Sequence, residues 1–176
     1  MVENLGINGQ FREWVIAKDN PPSVAHVAQT SLAVVVSFLI ARLFRLPEAY
    51  WAPMVTLIVT QSTLRAALPI SVQYFAGTAV GAAIGAFTDI QFHGSVWAFG
   101  AAVFFIGLFS VVLRIERSAF RYASITLAIV MLVPRSTSAR LVALHRFFEV
   151  SVGLIVGLAL LALWPRISLG HFEPIK

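Results

Sequence analysis

The sequence predicts an all-α, polytopic membrane protein, with six transmembrane helices arranged as two inverted three-helix repeats. Composition is the first reason. The chain is 59% hydrophobic and only 12% charged, with a mean hydropathy of +0.84, well outside the range of soluble domains. The second reason is the presence of six long apolar stretches within 176 residues, which leaves no room for a sizeable extramembrane domain. The third is an internal match between the halves. Aligned without gaps, Arg42 and Arg45 fall on Arg114 and Arg117, Tyr50 on Tyr122, Phe75 on Phe147, and Gly81 and Gly85 on Gly153 and Gly157. A unit with an odd number of spans must invert when it repeats, and that arrangement is typical of transporters.

Residues 1–22 are polar, with Phe11, Trp14 and Val15 roughly on one face. They read either as a short interfacial helix with Trp14 at headgroup depth or as a frayed tail. Residues 23–165 form the membrane domain, with repeats at about 23–88 and 94–164, and residues 166–176 are a tail. The expected spans are 23–44, 49–64, 69–88, 94–113, 119–133 and 146–164. They must be helical, because backbone groups in lipid have to be satisfied within the segment. Most approach the ~20 residues that cross ~30 Å of hydrocarbon. The second and fifth reach only ~22–24 Å, and each carries a proline, Pro53 or Pro134. Paired short or broken spans mark the binding region of many transporters. Equally, Pro53 can sit in a first helical turn and Pro134 can simply end a helix.

An even number of spans puts both termini on one side. That side holds eight basic residues (Arg12, Lys18, Arg65, Arg114, Arg117, Arg121, Arg166 and Lys176) against five on the other (Arg42, Arg45, Arg135, Arg140 and Arg146). The positive-inside rule therefore places the termini in the cytoplasm, by a small margin. The net charge of +5 is concentrated at span ends, where it serves membrane lipid headgroups rather than nucleic acid. Cysteine is absent, and His26, His93, His145 and His171 are scattered without metal-ligand spacing. Paired carboxylates, nucleophile motifs and phosphate-binding loops are missing, so the expectation is no enzyme, no cofactor and no metal.

Polar residues inside the spans are few. Gln73, Gly77, Gly81 and Gly85 share one face of the third span, and His145, Glu149, Gly153 and Gly157 share one face of the sixth. Small residues at this spacing let helix backbones approach, so packing is their first role. Glu149 lies on that face and is expected to face protein. Arg146, one turn earlier, could pair with it. Glu149 then serves either as half of a structural ion pair or as a proton carrier. The second span offers Trp51, Gln61 and Arg65, and the fifth Arg121 and Tyr122. Rings, an amide and guanidiniums around short broken helices suit an aromatic carboxylate, although the same residue types also anchor span ends. Trp51, Gln61, Arg65, Arg121, Tyr122, Arg146 and Glu149 are the substrate-path candidates.

At Tyr50-Trp51-Ala52-Pro53, Val59-Thr60-Gln61-Ser62 and Gly77-Thr78 with Gly81 and Gly85, the chain resembles the fusaric acid resistance protein-like family. These are aromatic acid exporters, also described as the integral membrane bound transporter domain. The resemblance covers residues 23–165. It departs at Tyr74, where the family's R-x-x-G-T run has arginine, whereas Arg146 keeps a basic residue in the second half. It implies a bacterial inner-membrane unit that exports small, aromatic organic acids using the proton gradient, as a homo-oligomer or with a periplasmic adaptor protein. The alternative is a non-transporting membrane scaffold or accessory subunit.

Overall fold

A computed structural model describes residues 24–60, 63–133 and 137–168, with side chains to residue 164. The N-terminal segment, Gln61, Ser62, Pro134, Arg135 and the C-terminal tail lie outside the described residues. Six helices follow in order: α1 Val24–Leu43, α2 Trp51–Val59, α3 Leu64–Phe92, α4 Val96–Val112, α5 Arg117–Leu132 and α6 Ala139–Ser168. Three of them, α1, α3 and α6, are long and apolar enough to cross a bilayer, and α4 is a shorter apolar helix. The nine residues of α2 reach only ~13 Å. Six full spans are therefore more than these helix lengths provide.

Two helices start earlier than expected, each because its first turn is buried. α3 runs through Pro69 from Leu64, since Ala67 is fully buried and Leu64 packs on the same cluster as Val55, Tyr74 and Val150. Proline this near a helix start removes one backbone hydrogen bond and leaves the rest of the helix intact. α6 starts at Ala139, not near Arg146, because Ala139, Val142 and Ala143 pack against Ala82 and Val130. Arg146 and Glu149 consequently lie two to three turns inside a helix rather than at its beginning.

The connections revise the register between the halves. α1 closes with Arg45 in the left-handed region (φ 54), the Leu46 N–H donating to Ala41 O at 3.1 Å. α4 closes the same way at Arg114 (φ 53), the Ile115 N–H donating to Ser110 O at 2.8 Å. Both are Schellman closures, in which glycine is the usual left-handed residue. The counterpart of Arg45 is thus Arg114, not Arg117. The connection from α1 to α2 (residues 44–50) is three residues longer than that from α4 to α5 (113–116).

Packing follows the glycines. Gly77, Gly81 and Gly85 of α3 lie against α5, and a Cβ at Gly81 would collide with the carbonyl oxygen of Ala123. Gly153 and Gly157 of α6 lie against α2, and a Cβ at Gly153 would come within 2.5 Å of Ala52 O. There the Thr56 hydroxyl lies 3.0 Å from both Ala52 O and Gly153 O, so its donor serves both helices. α1 covers α2 and α6, α4 covers α5 and α3, and α3 packs directly on α6. The Gln29 amide fastens α1 to α6 by donating to Leu160 O at 3.2 Å.

Candidate functional site

Trp51 is the first residue of α2, and the turn before it determines where its ring lies. Its backbone N–H donates to Glu48 O at 2.9 Å, folding the side chain back so that the indole N–H donates to Glu48 Oε2 at 2.8 Å. The backbone N–H of Glu48 donates in turn to Glu149 Oε1 on α6 at 3.0 Å. One turn before Glu149, the guanidinium of Arg146 lies over the Trp51 ring, its central carbon 3.7 Å from the ring centroid. A desolvated cation–π contact of this kind is worth about 2 kcal/mol.

Arg146 and Glu149 are each 1% exposed. The Arg146 nitrogens Nε, Nη1 and Nη2 are buried, and none has a hydrogen-bond partner among the described residues. The sequence offered an i,i+3 ion pair with Glu149 as one role for the two residues. The Tyr74 phenol, the Glu149 and Glu48 carboxylates and the Tyr50 phenol all lie within electrostatic reach of the guanidinium. Tyr74, on α3, is itself buried and stacks on Tyr122 of α5 with ring centroids 4.1 Å apart. Beside it Phe75 and Phe147 meet across α3 and α6 at 5.0 Å.

These contacts occur in corresponding pairs. Tyr74 of the first half stacks on Tyr122 of the second, as Arg146 of the second half lies over Trp51 of the first. Gly77 sits where a Cβ would come within 2.6 Å of Ala119 O on α5. Glu149, aligned with Gly77, reaches the backbone of Glu48 just before α2.

Of the candidates from sequence, Trp51, Tyr122, Arg146 and Glu149 come together here, Tyr122 through Tyr74. Arg65 and Arg121 are exposed and outside the cluster, and Gln61 lies outside the described residues. Three participants were not singled out as site residues. Glu48 lay in a connection between expected spans, and Tyr74 was visible only as a departure from a family pattern. Thr78 is fully buried one turn after Tyr74, with its hydroxyl unpartnered among the described residues; Gly77-Thr78 was the only sequence signal for it. Among the described residues no three His, Asp or Glu side chains group closely enough to hold a metal ion.

A model of the fusaric acid resistance protein-like family matches residues 32–160, taking in part or all of every helix. The chain belongs to that family. The fusaric acid resistance-like chain is accordingly a multi-pass membrane protein of transporter type. Neither the curated proteins nor the solved structures contain a match to it. Position 74 of the first half is tyrosine, and the guanidinium at the heart of the cluster comes from Arg146 in the second.

Arginine carries five N–H donors in a rigid fork. Each buried donor left unpaired costs about 1–3 kcal/mol. A carboxylate would satisfy two of them at once in bidentate geometry, and the surrounding rings would receive an aromatic body.

Proposed function

We propose that the protein exports small aromatic organic acids across the bacterial inner membrane, driven by the proton-motive force, with Arg146 as the carboxylate anchor. The observation that carries this reading is a fully buried guanidinium, stacked on Trp51, whose three nitrogens make no hydrogen bond among the described residues. Trp51, Tyr74 and Tyr122 supply the aromatic lining. Outward movement of an acid anion is favoured by an interior-negative potential, by about 2.3 kcal/mol per charge per 100 mV. The matched contacts of α3 with α5 and α6 with α2 support reading the halves as an inverted repeat, and the excess of basic residues on the termini's side favours a cytoplasmic location for them. The unit works as a homo-oligomer or with a periplasmic adaptor.

Purified protein in proteoliposomes should accelerate efflux of hydroxybenzoate under an imposed pH gradient and potential, and Arg146→Gln should abolish the acceleration. Flux equal to that of empty liposomes across a panel of aromatic acids would sink the proposal. A second reading, a non-transporting scaffold, draws on one observation: neither apolar groove on the helices reaches Arg146 or Glu149. On that reading Arg146→Gln impairs assembly, and no acid is moved by the unaltered protein.

A further inference from the structure

α4 stands between two apolar grooves. The larger, about 910 Å³, separates it from α3 and is lined by Val80, Ile84, Phe87, Phe105 and Phe109 among others. The smaller, about 590 Å³, runs along α4 beside α5, past Val103, Gly107, Leu108 and Phe120. Gly107 lets α5 come close at the floor of this second groove, where the Phe120 ring lies 3.2 Å from where a Cβ would stand. Unlike the larger groove, it is bordered by two cations. Arg114 and Arg117 both line it, and both are exposed.

Arg114 is placed there by backbone geometry. It takes the left-handed position that closes α4 (φ 53), where a side chain costs about 1 kcal/mol and glycine is usual. Arg117 opens α5 three residues later. From Val103 to Arg114 the helix rises about 16 Å, so an apolar trough ends in a pair of guanidiniums. That is the shape and charge of an amphiphile with an anionic head.

We propose that this groove holds an anionic phospholipid of the surrounding membrane, with an acyl chain along Val103, Gly107 and Leu108 and the phosphate on Arg114 and Arg117. Arginine recognises phosphate oxygens in bidentate fashion, and basic pockets at helix ends are established headgroup sites. The first half offers a built-in control. Arg42 and Arg45 occupy the corresponding corner, with Arg45 in the same left-handed closure, yet they line neither groove.

The test is native mass spectrometry of the detergent-solubilised protein titrated with phosphatidylglycerol or phosphatidylcholine of equal chain length. Phosphatidylglycerol should be retained more tightly, and Arg114→Gln with Arg117→Gln should weaken it about 30-fold. Arg42→Gln with Arg45→Gln should change its affinity less than about twofold. Gly107→Leu, which fills the groove and keeps both arginines, should also weaken it. Equal loss from the two arginine pairs would overturn the site in favour of diffuse charge attraction. Competition by free glycerol phosphate at the lipid's own concentration would overturn it in favour of a phosphate site without a chain. Indifference to Gly107→Leu would remove the groove from the assignment.

Discussion

Replacing Arg146 with methionine separates its two conceivable roles, as a structural charge and as a ligand anchor. Methionine keeps the length and apolar stem but removes the charge held against Trp51 at 3.7 Å. Glu149, 1% exposed, then loses the cation that compensates it, and Glu48 loses part of its balance too. Removing one partner of a buried charge pair costs about 3–5 kcal/mol, most of it the penalty of the charge left behind. The double variant Arg146→Met with Glu149→Gln removes that residual charge while keeping an acceptor for the Glu48 N–H, so it should recover most of the lost stability. Transport should not recover. Two charge-assisted hydrogen bonds to a substrate carboxylate are worth about 1.5–3 kcal/mol each. Together they correspond to a loss of roughly 10²–10⁴-fold in flux at limiting substrate. Thermal unfolding in detergent would report the first quantity, and hydroxybenzoate efflux from proteoliposomes the second. A double variant that moves substrate at more than about a tenth of the normal rate would refute Arg146 as the anchor.

Close packing makes a sharp contrast at the glycines: Gly81→Ala pushes a Cβ into the Ala123 backbone and should lower stability by about 1–3 kcal/mol. Gly157→Ala, whose new Cβ would have its nearest neighbour at 3.6 Å, should be neutral or stabilising by up to about 1 kcal/mol; both are read by thermal unfolding. Trp51→Phe keeps a ring under Arg146 but loses the donor to Glu48 Oε2, and should lower stability in thermal unfolding by about 1.5–3 kcal/mol through one lost charge-assisted bond. Arg65→Gln and Arg121→Gln, both at exposed positions, should leave efflux within about twofold of normal.

Much of this arrangement was legible in the residues, and the failures have physical causes. The apolar stretches and the glycine faces translated directly into helices and their contacts, since period and residue size decide both. Helix ends did not. Pro69 and Arg146 look like boundaries to a reader of local chemistry, whereas burial of Ala67 in one helix and of Val142 and Ala143 in the other carries each helix outward. The gapless register misplaced Arg45 because it was fixed by the glycines, and a local slip at the helix closures is invisible when span ends are both arginine-rich. Glu48 escaped notice since it lies in a connection, where only the turn before α2 brings its backbone N–H to Glu149 and its carboxylate to Trp51. The stacking of Arg146 on Trp51 is a tertiary contact between residues far apart in sequence.

The corresponding pair Tyr74 and Arg146 explains why this unit carries a single central arginine. The two residues occupy matching places on α3 and α6, which pack directly on one another beside Phe75 and Phe147. The Tyr74 phenol already lies within electrostatic reach of Arg146. Restoring an arginine at position 74 would bring two guanidiniums together in the protein interior. At a separation on the order of 5 Å and an effective dielectric of ~20 their repulsion is about 3 kcal/mol, and Glu149 and Glu48, which already face Arg146, would offset only part of it. Tyr74→Arg should therefore destabilise the protein by up to about that amount in thermal unfolding. Tyr74→Arg combined with Arg146→Tyr returns the pair to one charge, against Tyr122 instead of Trp51, and should regain stability. If Tyr74→Arg alone unfolds at the normal temperature, the two positions are not close enough to exclude a second charge. The asymmetry between the halves would then need a cause other than electrostatics.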